Sequence, residues 1–167
     1  AAALAKLEAP KGRGQHRQIP LPMFGTGASF TLIDESYNAS PASVKAALAV
    51  LERTPGGRRI AVLGDMLELG ETSEAAHIDL VKNIAGHAID TVFTCGPFMA
   101  KLQEALPPSQ RGGHAPTSKA LAPLVTAALR PSDIVTVKGS LGSGMAVIIE
   151  AIERFSAVTP SRAANGH

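Results

Sequence analysis

Short, almost wholly apolar runs alternate with longer amphipathic ones along most of the chain, and that alternation leaves few folds open. Arg59–Gly64 and residues 88–95 and 133–138 are too uniformly apolar for strands with one wet face. Between them lie helix-length stretches of about 10–15 residues. Val44, Leu48 and Leu51 recur at helical spacing behind Ser40-Pro41, a capping residue followed by a proline suited to the first turn. Ala76, Leu80, Ile84 and Ala85 form a second apolar stripe behind Thr72-Ser73. Further helices are expected over residues 99–105, 118–128 and 144–155, with a weak strand at residues 114–116. Residues 18–23 and 29–34, separated by Gly25-Thr26-Gly27, read as a hairpin. Strands alternating with helices in this order mean βαβ units. The reading is a Rossmann-like three-layer α/β domain: a mostly parallel sheet of about six strands, with the hairpin as an antiparallel N-terminal edge.

The ends differ from this body. Residues 1–9 have helical propensity, with Leu4 and Leu7 on one face, and read as the tail of a helix from a preceding domain. Pro10-Lys11-Gly12-Arg13-Gly14 breaks that helix, so residues 1–14 are assigned to a domain end plus linker, residues 15–156 to the domain, and residues 157–167 to a flexible tail. Composition matters mainly for what it excludes. The net charge of +2 is too small to imply nucleic acid, and the basic stretch around Lys11, Arg13 and Arg17 has no interleaved aromatics. The single cysteine, Cys95, ends an apolar run, rules out an intrachain disulfide and reads as a buried small hydrophobe. No run approaches the length of a membrane span, and no signal peptide is apparent, so a cytoplasmic location is expected.

In parallel sheets ligands sit beyond the carboxyl ends of the strands. Three turns there carry chemistry. The first, Asp34-Glu35-Ser36-Tyr37-Asn38-Ala39-Ser40, joins two acids, hydroxyls, an amide and the only tyrosine; neighbouring acids repel unless a donor or cation relieves them. The second, Gly64-Asp65-Met66-Leu67-Glu68-Leu69-Gly70, offers Asp65 to an amine or hydroxyl, with Met66, Leu67 and Leu69 packed below. His77 in the following helix reads as a surface or packing residue rather than a ligand. The third, Lys138-Gly139-Ser140-Leu141-Gly142-Ser143-Gly144, places a cation and free N–H groups at a helix start, an anion-friendly pattern. The lysine precedes the glycines, so this is not a Walker A loop, and no dinucleotide fingerprint, zinc cluster, paired metal ligands or nucleophile elbow is present. From the residues alone, the chain is an α/β domain with an amino-acid-sized polar site, and no reaction is identified.

The same three segments, in this order, resemble the C-terminal domain of the Mur ligases. Leu32-Ile33-Asp34-Glu35-Ser36-Tyr37-Asn38-Ala39-Ser40-Pro41 is similar to the family signature IDDSYNANP, and Arg59 to Gly70 to AVLGDMLELG. Val137-Lys138-Gly139-Ser140 with Met145 is similar to VKGS…M. Within the family the resemblance is to the branch that joins D-alanyl-D-alanine to UDP-N-acetylmuramoyl-tripeptide in peptidoglycan synthesis.

That resemblance implies a three-domain enzyme whose N-terminal domain holds the UDP end of the precursor and whose central domain binds ATP and Mg2+. The C-terminal domain closes over them with the amine, which attacks an acyl phosphate; residues 1–14 then end the central ATPase domain and form the linker. It further implies that Arg13 contacts ATP phosphate, that Asp34 and Glu35 reach the ribose, and that Tyr37, Asn38 and Ser40 line the interdomain cleft. Asp65, Lys138 and Ser140, with Asn38 and Ser40, would orient the dipeptide, Lys138 or neighbouring N–H groups taking its carboxylate. No catalytic residue and no metal ligand is assigned to the domain itself, which lacks a P-loop and is expected to be inactive alone. Glu35, Ser40 and Leu141 depart from the family's Asp, Asn and Arg at those places. Two rival readings are a sister ligase adding another amino acid, and a flavodoxin-like binding or receiver module with Asp65 as phosphoacceptor.

Overall fold

The computed structural model describes residues 9–158; the expected helix over residues 1–9 and most of the expected tail fall outside them. Six strands form one sheet: β1 (Gln15–Pro20), β2 (Ser29–Glu35), β3 (Arg59–Gly64), β4 (Thr91–Cys95), β5 (Arg111–Ala115) and β6 (Ile134–Lys138). Five helices accompany them: α1 (Pro41–Arg53), α2 (Ser73–Gly86), α3 (Pro97–Ala105), α4 (Ser118–Ala128) and α5 (Ala146–Ser156). The spatial order is β1-β2-β6-β3-β4-β5, with β1 antiparallel to β2 and every other pair parallel. This is the expected three-layer fold with its antiparallel edge. None of the described helices is long and apolar enough to cross a membrane.

Period-two alternation in the strands supplies both apolar faces. Leu32, Val62, Val135 and Val137 meet α4 and α5 through Leu121, Val125, Ile148 and Ile152. Ile33, Ala61, Leu63 and Ile134 meet α1, α2 and α3 through Leu48, Leu80, Ile84, Met99 and Leu102. Burying a side chain of this size stabilises by about 1.5–3 kcal/mol, so the central strands, covered on both sides, anchor everything at their ends.

Several boundaries differ from the sequence reading. The first strand is Gln15–Pro20 rather than residues 18–23, because Pro22, which has no N–H, cannot continue the ladder and Pro22–Phe24 curls into a 3-10 turn. β5 begins at Arg111, earlier than the weak strand expected at residues 114–116; two glycines disguised it. A β-carbon on Gly112 would stand 2.8 Å from the Phe93 ring, so that glycine lets β5 lie against β4. α3 starts at Pro97, before the expected residue 99, and α5 starts at Ala146, after the expected residue 144. In α2 the buried stripe is Ser73, His77, Leu80 and Ile84, whereas Ala85 is exposed. Leu67 is exposed too, so of the residues expected to pack beneath the second turn, Met66 is the fully buried one.

Candidate functional site

All three turns singled out in the sequence emerge at one rim of the sheet, where β2, β3 and β6 end side by side. Ser140 ties them together. Its N–H donates to the Asp65 carbonyl (3.2 Å), its hydroxyl accepts from the Leu67 N–H (2.9 Å), and that hydroxyl reaches the Ala39 carbonyl (3.3 Å). Small residues make the approach possible. A β-carbon on Gly64 would lie 2.6 Å from Met145 Sδ, and one on Gly139 would lie 2.5 Å from Ser143 Oγ.

On one side of this knot is an open polar cleft of about 250 Å³, lined by Arg13, Glu35, Tyr37, Asn38, Ser40 and Lys138, together with Gly12 and Ser43. Its electrostatics rest on a buried cation. Lys138 is 4% exposed; its ammonium donates to the Asn38 carbonyl (2.9 Å) and pairs with Glu35 Oε2 at 3.5 Å. Burial lowers the lysine pKa from its ordinary value, and Glu35 pulls the other way. Strand register explains the pairing, since Glu35 and Lys138 are partners across β2 and β6. Arg13 lies over the Tyr37 ring, 4.1 Å from its centroid, an arrangement that holds a guanidinium at the cleft mouth.

The linker is built into this wall. The Gly14 N–H donates to the Asp34 carbonyl (2.8 Å), and the Tyr37 N–H to the Gly12 carbonyl (3.1 Å). Gly12 and Gly14 both have left-handed φ, 77° and 89°, where a β-carbon would strain the backbone. Ser40 is exposed and caps α1 through a reciprocal pair with Ser43, whose own role in the cleft the sequence reading missed. A hydroxyl three residues after a serine cap was the available signal.

Asp34 and Glu35 are not the side-by-side acidic pair expected from the sequence. Alternation along β2 sends them to opposite faces, so Glu35 meets Lys138 while Asp34 is fully buried. Asp34 Oδ1 accepts from the N–H (3.1 Å) and hydroxyl (2.6 Å) of Ser36, shaping the turn from beneath.

Asp65 lies on the other side of the knot, 4% exposed, with both oxygens engaged at the start of α3. Oδ1 accepts from the Met99 N–H (2.8 Å) and Oδ2 from the Phe98 N–H (3.3 Å). Gly96, at φ 102°, clears the way, because a β-carbon there would stand 2.4 Å from the Asp65 carboxyl carbon. A carboxylate so enclosed does not suit a phosphoacceptor, which must be open to attack. His77 is a buried strut: Nε2 accepts from the Met66 N–H (2.9 Å), Nδ1 donates to the Ser73 carbonyl (2.5 Å), and the ring stacks on Phe98. Next to Asp65 opens a second cavity of about 460 Å³, whose wall includes Leu67, Cys95, Phe98, Thr117 and Ser118. Burial, and then the Asp65 charge, push the Cys95 thiol up to about 11, so it is no nucleophile at neutral pH.

A family model described as the Mur ligase, glutamate ligase domain matches residues 22–141 of this chain. The chain belongs to the Mur ligase family. It corresponds to the C-terminal domain of that family. It is 34% identical over 134 residues to the UDP-N-acetylmuramoyl-tripeptide–D-alanyl-D-alanine ligase of Bacillus subtilis (strain 168), covering 78% of this chain and 29% of that protein. To the Escherichia coli (strain K12) ligase of the same description it is 32% identical over 154 residues, covering 91% of this chain and 32% of that one. Among solved structures, MurF from Acinetobacter baumannii superposes with a TM-score of 0.72 at 25% identity, over 88% of this chain and 31% of that chain. MurF ligase from Thermotoga maritima in complex with ADP gives 0.73 at 24% identity, over 92% and 33%, a likeness of fold. This Mur ligase chain thus spans about a third of the length of the relatives it matches. Membership displaces the receiver-module reading.

Proposed function

We propose that the chain is the amine-binding, domain-closing part of an ATP-dependent ligase that joins D-alanyl-D-alanine to UDP-N-acetylmuramoyl-tripeptide in peptidoglycan synthesis. The observation that carries the reading is the knot at Ser140, which fixes an open polar cleft of about 250 Å³ and a larger, more apolar cavity of about 460 Å³ back to back on one rim. Relatives described as ligases of this dipeptide supply the reaction.

The polar cleft fits a nucleotide. Arg13 offers a guanidinium to phosphate, Glu35 offers a carboxylate to ribose hydroxyls, and Tyr37 and Asn38 are exposed at its mouth. Asp34 acts from below by holding Ser36. Glu35 alone supplies a carboxylate to the cleft, so Mg2+ and most of the ATP are assigned to the central domain of the family's three-domain plan. ATP supplies the phosphoryl group that converts the precursor's carboxylate into an acyl phosphate. What this domain contributes is placement of the amine and exclusion of water on closure. Lys138, Ser140 and Asp65 orient the dipeptide by holding the rim, with Asn38 and Ser40 along the seam.

The test is the whole enzyme supplied with ATP, the tripeptide nucleotide and candidate amines. Pentapeptide nucleotide is expected only with the dipeptide, and Arg13→Ala and Lys138→Ala are expected to lower kcat/KM by about tenfold or more. A preference for a single amino acid would replace this reading with that of a sister ligase. The 167-residue chain has no G-x-x-x-x-G-K-[ST] motif and is expected to form no product by itself; turnover by the chain alone would refute that part.

A further inference from the structure

Ten of the described residues have positive φ, and eight of them are glycines. Side chains are disfavoured in this region, least so for Asn, Asp and His. The two exceptions are Ser132 at φ 71° and Glu68 at φ 64°. Ser132 lies at the end of the sheet opposite the rim and is held by its backbone. Its N–H donates to the Ser29 carbonyl (2.8 Å) and its carbonyl accepts from the Gly57 N–H (2.7 Å). Glu68 is longer, charged and on the rim itself.

Its conformation is imposed from both sides of the turn after β3. The Met66 N–H donates to His77 Nε2 (2.9 Å), the Leu67 N–H to Ser140 Oγ (2.9 Å), and the Leu69 carbonyl accepts from the Thr72 hydroxyl (2.8 Å). Two residues on, a left-handed φ of 59° is met by a glycine, Gly70, whereas position 68 keeps its side chain. Nothing within the domain offsets that strain: Glu68 is exposed, and no ion pair among the described residues engages its carboxylate. Strained positions of this kind gather at binding and switch surfaces. The surroundings are apolar. Leu67 is 38% and Leu141 65% exposed, and Leu67 Cδ1 lies 2.8 Å from where a β-carbon on Gly142 would stand, so the two turns make one small patch.

We propose that Glu68 is a positioning residue that latches the closed enzyme: on closure its carboxylate meets a lysine or arginine of the preceding domain, and Leu67 and Leu141 pack around the pair. The inference rests on the domain-closing reading. Two observations choose the partner. This chain spans about a third of the length of its relatives and corresponds to the C-terminal domain, so the rest of such an enzyme lies upstream. The linker is stitched to this same rim through Gly12 and Gly14, so an upstream domain approaches from the rim on which Glu68 stands. A carboxylate flanked by leucines suits a cation, because a charge pair shielded from water is stronger than one in it. The latch touches neither ATP nor amine. It sets the fraction of loaded enzyme that is closed.

The test compares the whole enzyme with three variants. Glu68→Gly relieves the left-handed φ, so the denaturant midpoint of the 167-residue chain is expected to hold or rise. In the whole enzyme the same variant is expected to lower kcat about tenfold, the worth of one hydrogen bond to a charged group, with KM for the dipeptide kept within about twofold. Glu68→Gln lowers kcat several-fold at low salt, and its deficit shrinks as added salt screens the wild-type pair. Glu71→Gln, at an exposed acid of the next turn, leaves kcat as it is. Small-angle scattering with an ATP analogue and the tripeptide nucleotide, without amine, is expected to show a compact wild type and a more open Glu68→Gly. Equal compaction, or an unchanged kcat in Glu68→Gly, overturns the latch alone. So does a raised KM for the dipeptide with kcat unchanged, which moves Glu68 to the amine, or a lowered midpoint, which makes it structural. A wild type that stays open with both nucleotides overturns the domain-closing reading, and the latch with it.

Discussion

The N-termini of α3 and α4 sit at the ends of neighbouring strands and face the same cavity, yet only one is closed. α3 is stoppered by Asp65, a residue brought from the β3 turn and held there by the room that Gly96 provides. α4 is capped only by its own Thr117 and keeps two donors free. The difference shows two ways of finishing a helix start, one with a carboxylate brought in from another turn and one with the hydroxyl of the cap itself.

Changes that exchange the two conditions should separate them. Asp65→Ala reopens α3 and strands two N–H groups in a buried place, for an expected loss of roughly 3 kcal/mol in denaturant unfolding; a loss below about 1 kcal/mol would mean the stopper is incidental. Gly96→Ala pushes the carboxylate aside and places alanine at positive φ, costing about 2 kcal/mol, with the Met99 amide losing protection from exchange. Thr117→Ala removes the cap of α4, costing about 1 kcal/mol, and should leave α3 protection untouched. The smallest effect is on Cys95. Since the Asp65 charge raises its pKa, Asp65→Asn should lower it, and the alkylation rate profile should move to lower pH from its midpoint near 11. An unmoved profile would show that the Asp65 field does not fill the cavity.

How much of this was legible beforehand follows from the range of the forces involved. The parallel core was readable because strands such as Arg59–Gly64 carry their burial in their composition. β5 was blurred because its glycines serve the Phe93 ring, a contact between strands that no local pattern announces. Of the site residues, Glu35, Tyr37, Asn38, Ser40 and Lys138 were found by their place at strand ends, and the fold gathers them with Arg13 in one cleft. The partnership of Asp65 with α3 and the knot at Ser140 are long-range facts. They depend on which turns meet across the rim, and on register that puts Asp34 and Glu35 on opposite faces.

The stitching of the linker to the β2 turn carries a mechanical corollary. Gly12 and Gly14 are hydrogen-bonded to Tyr37 and Asp34, so this stretch travels with the sheet as part of a single rigid body. The Arg13 N–H also donates to the Pro10 carbonyl (3.0 Å), so a swing of the domain as proposed above would bend at Pro10 or upstream of it. Arg13 would then ride on the moving arm past the fulcrum, and its reach toward a phosphate would be set by the angle of rotation.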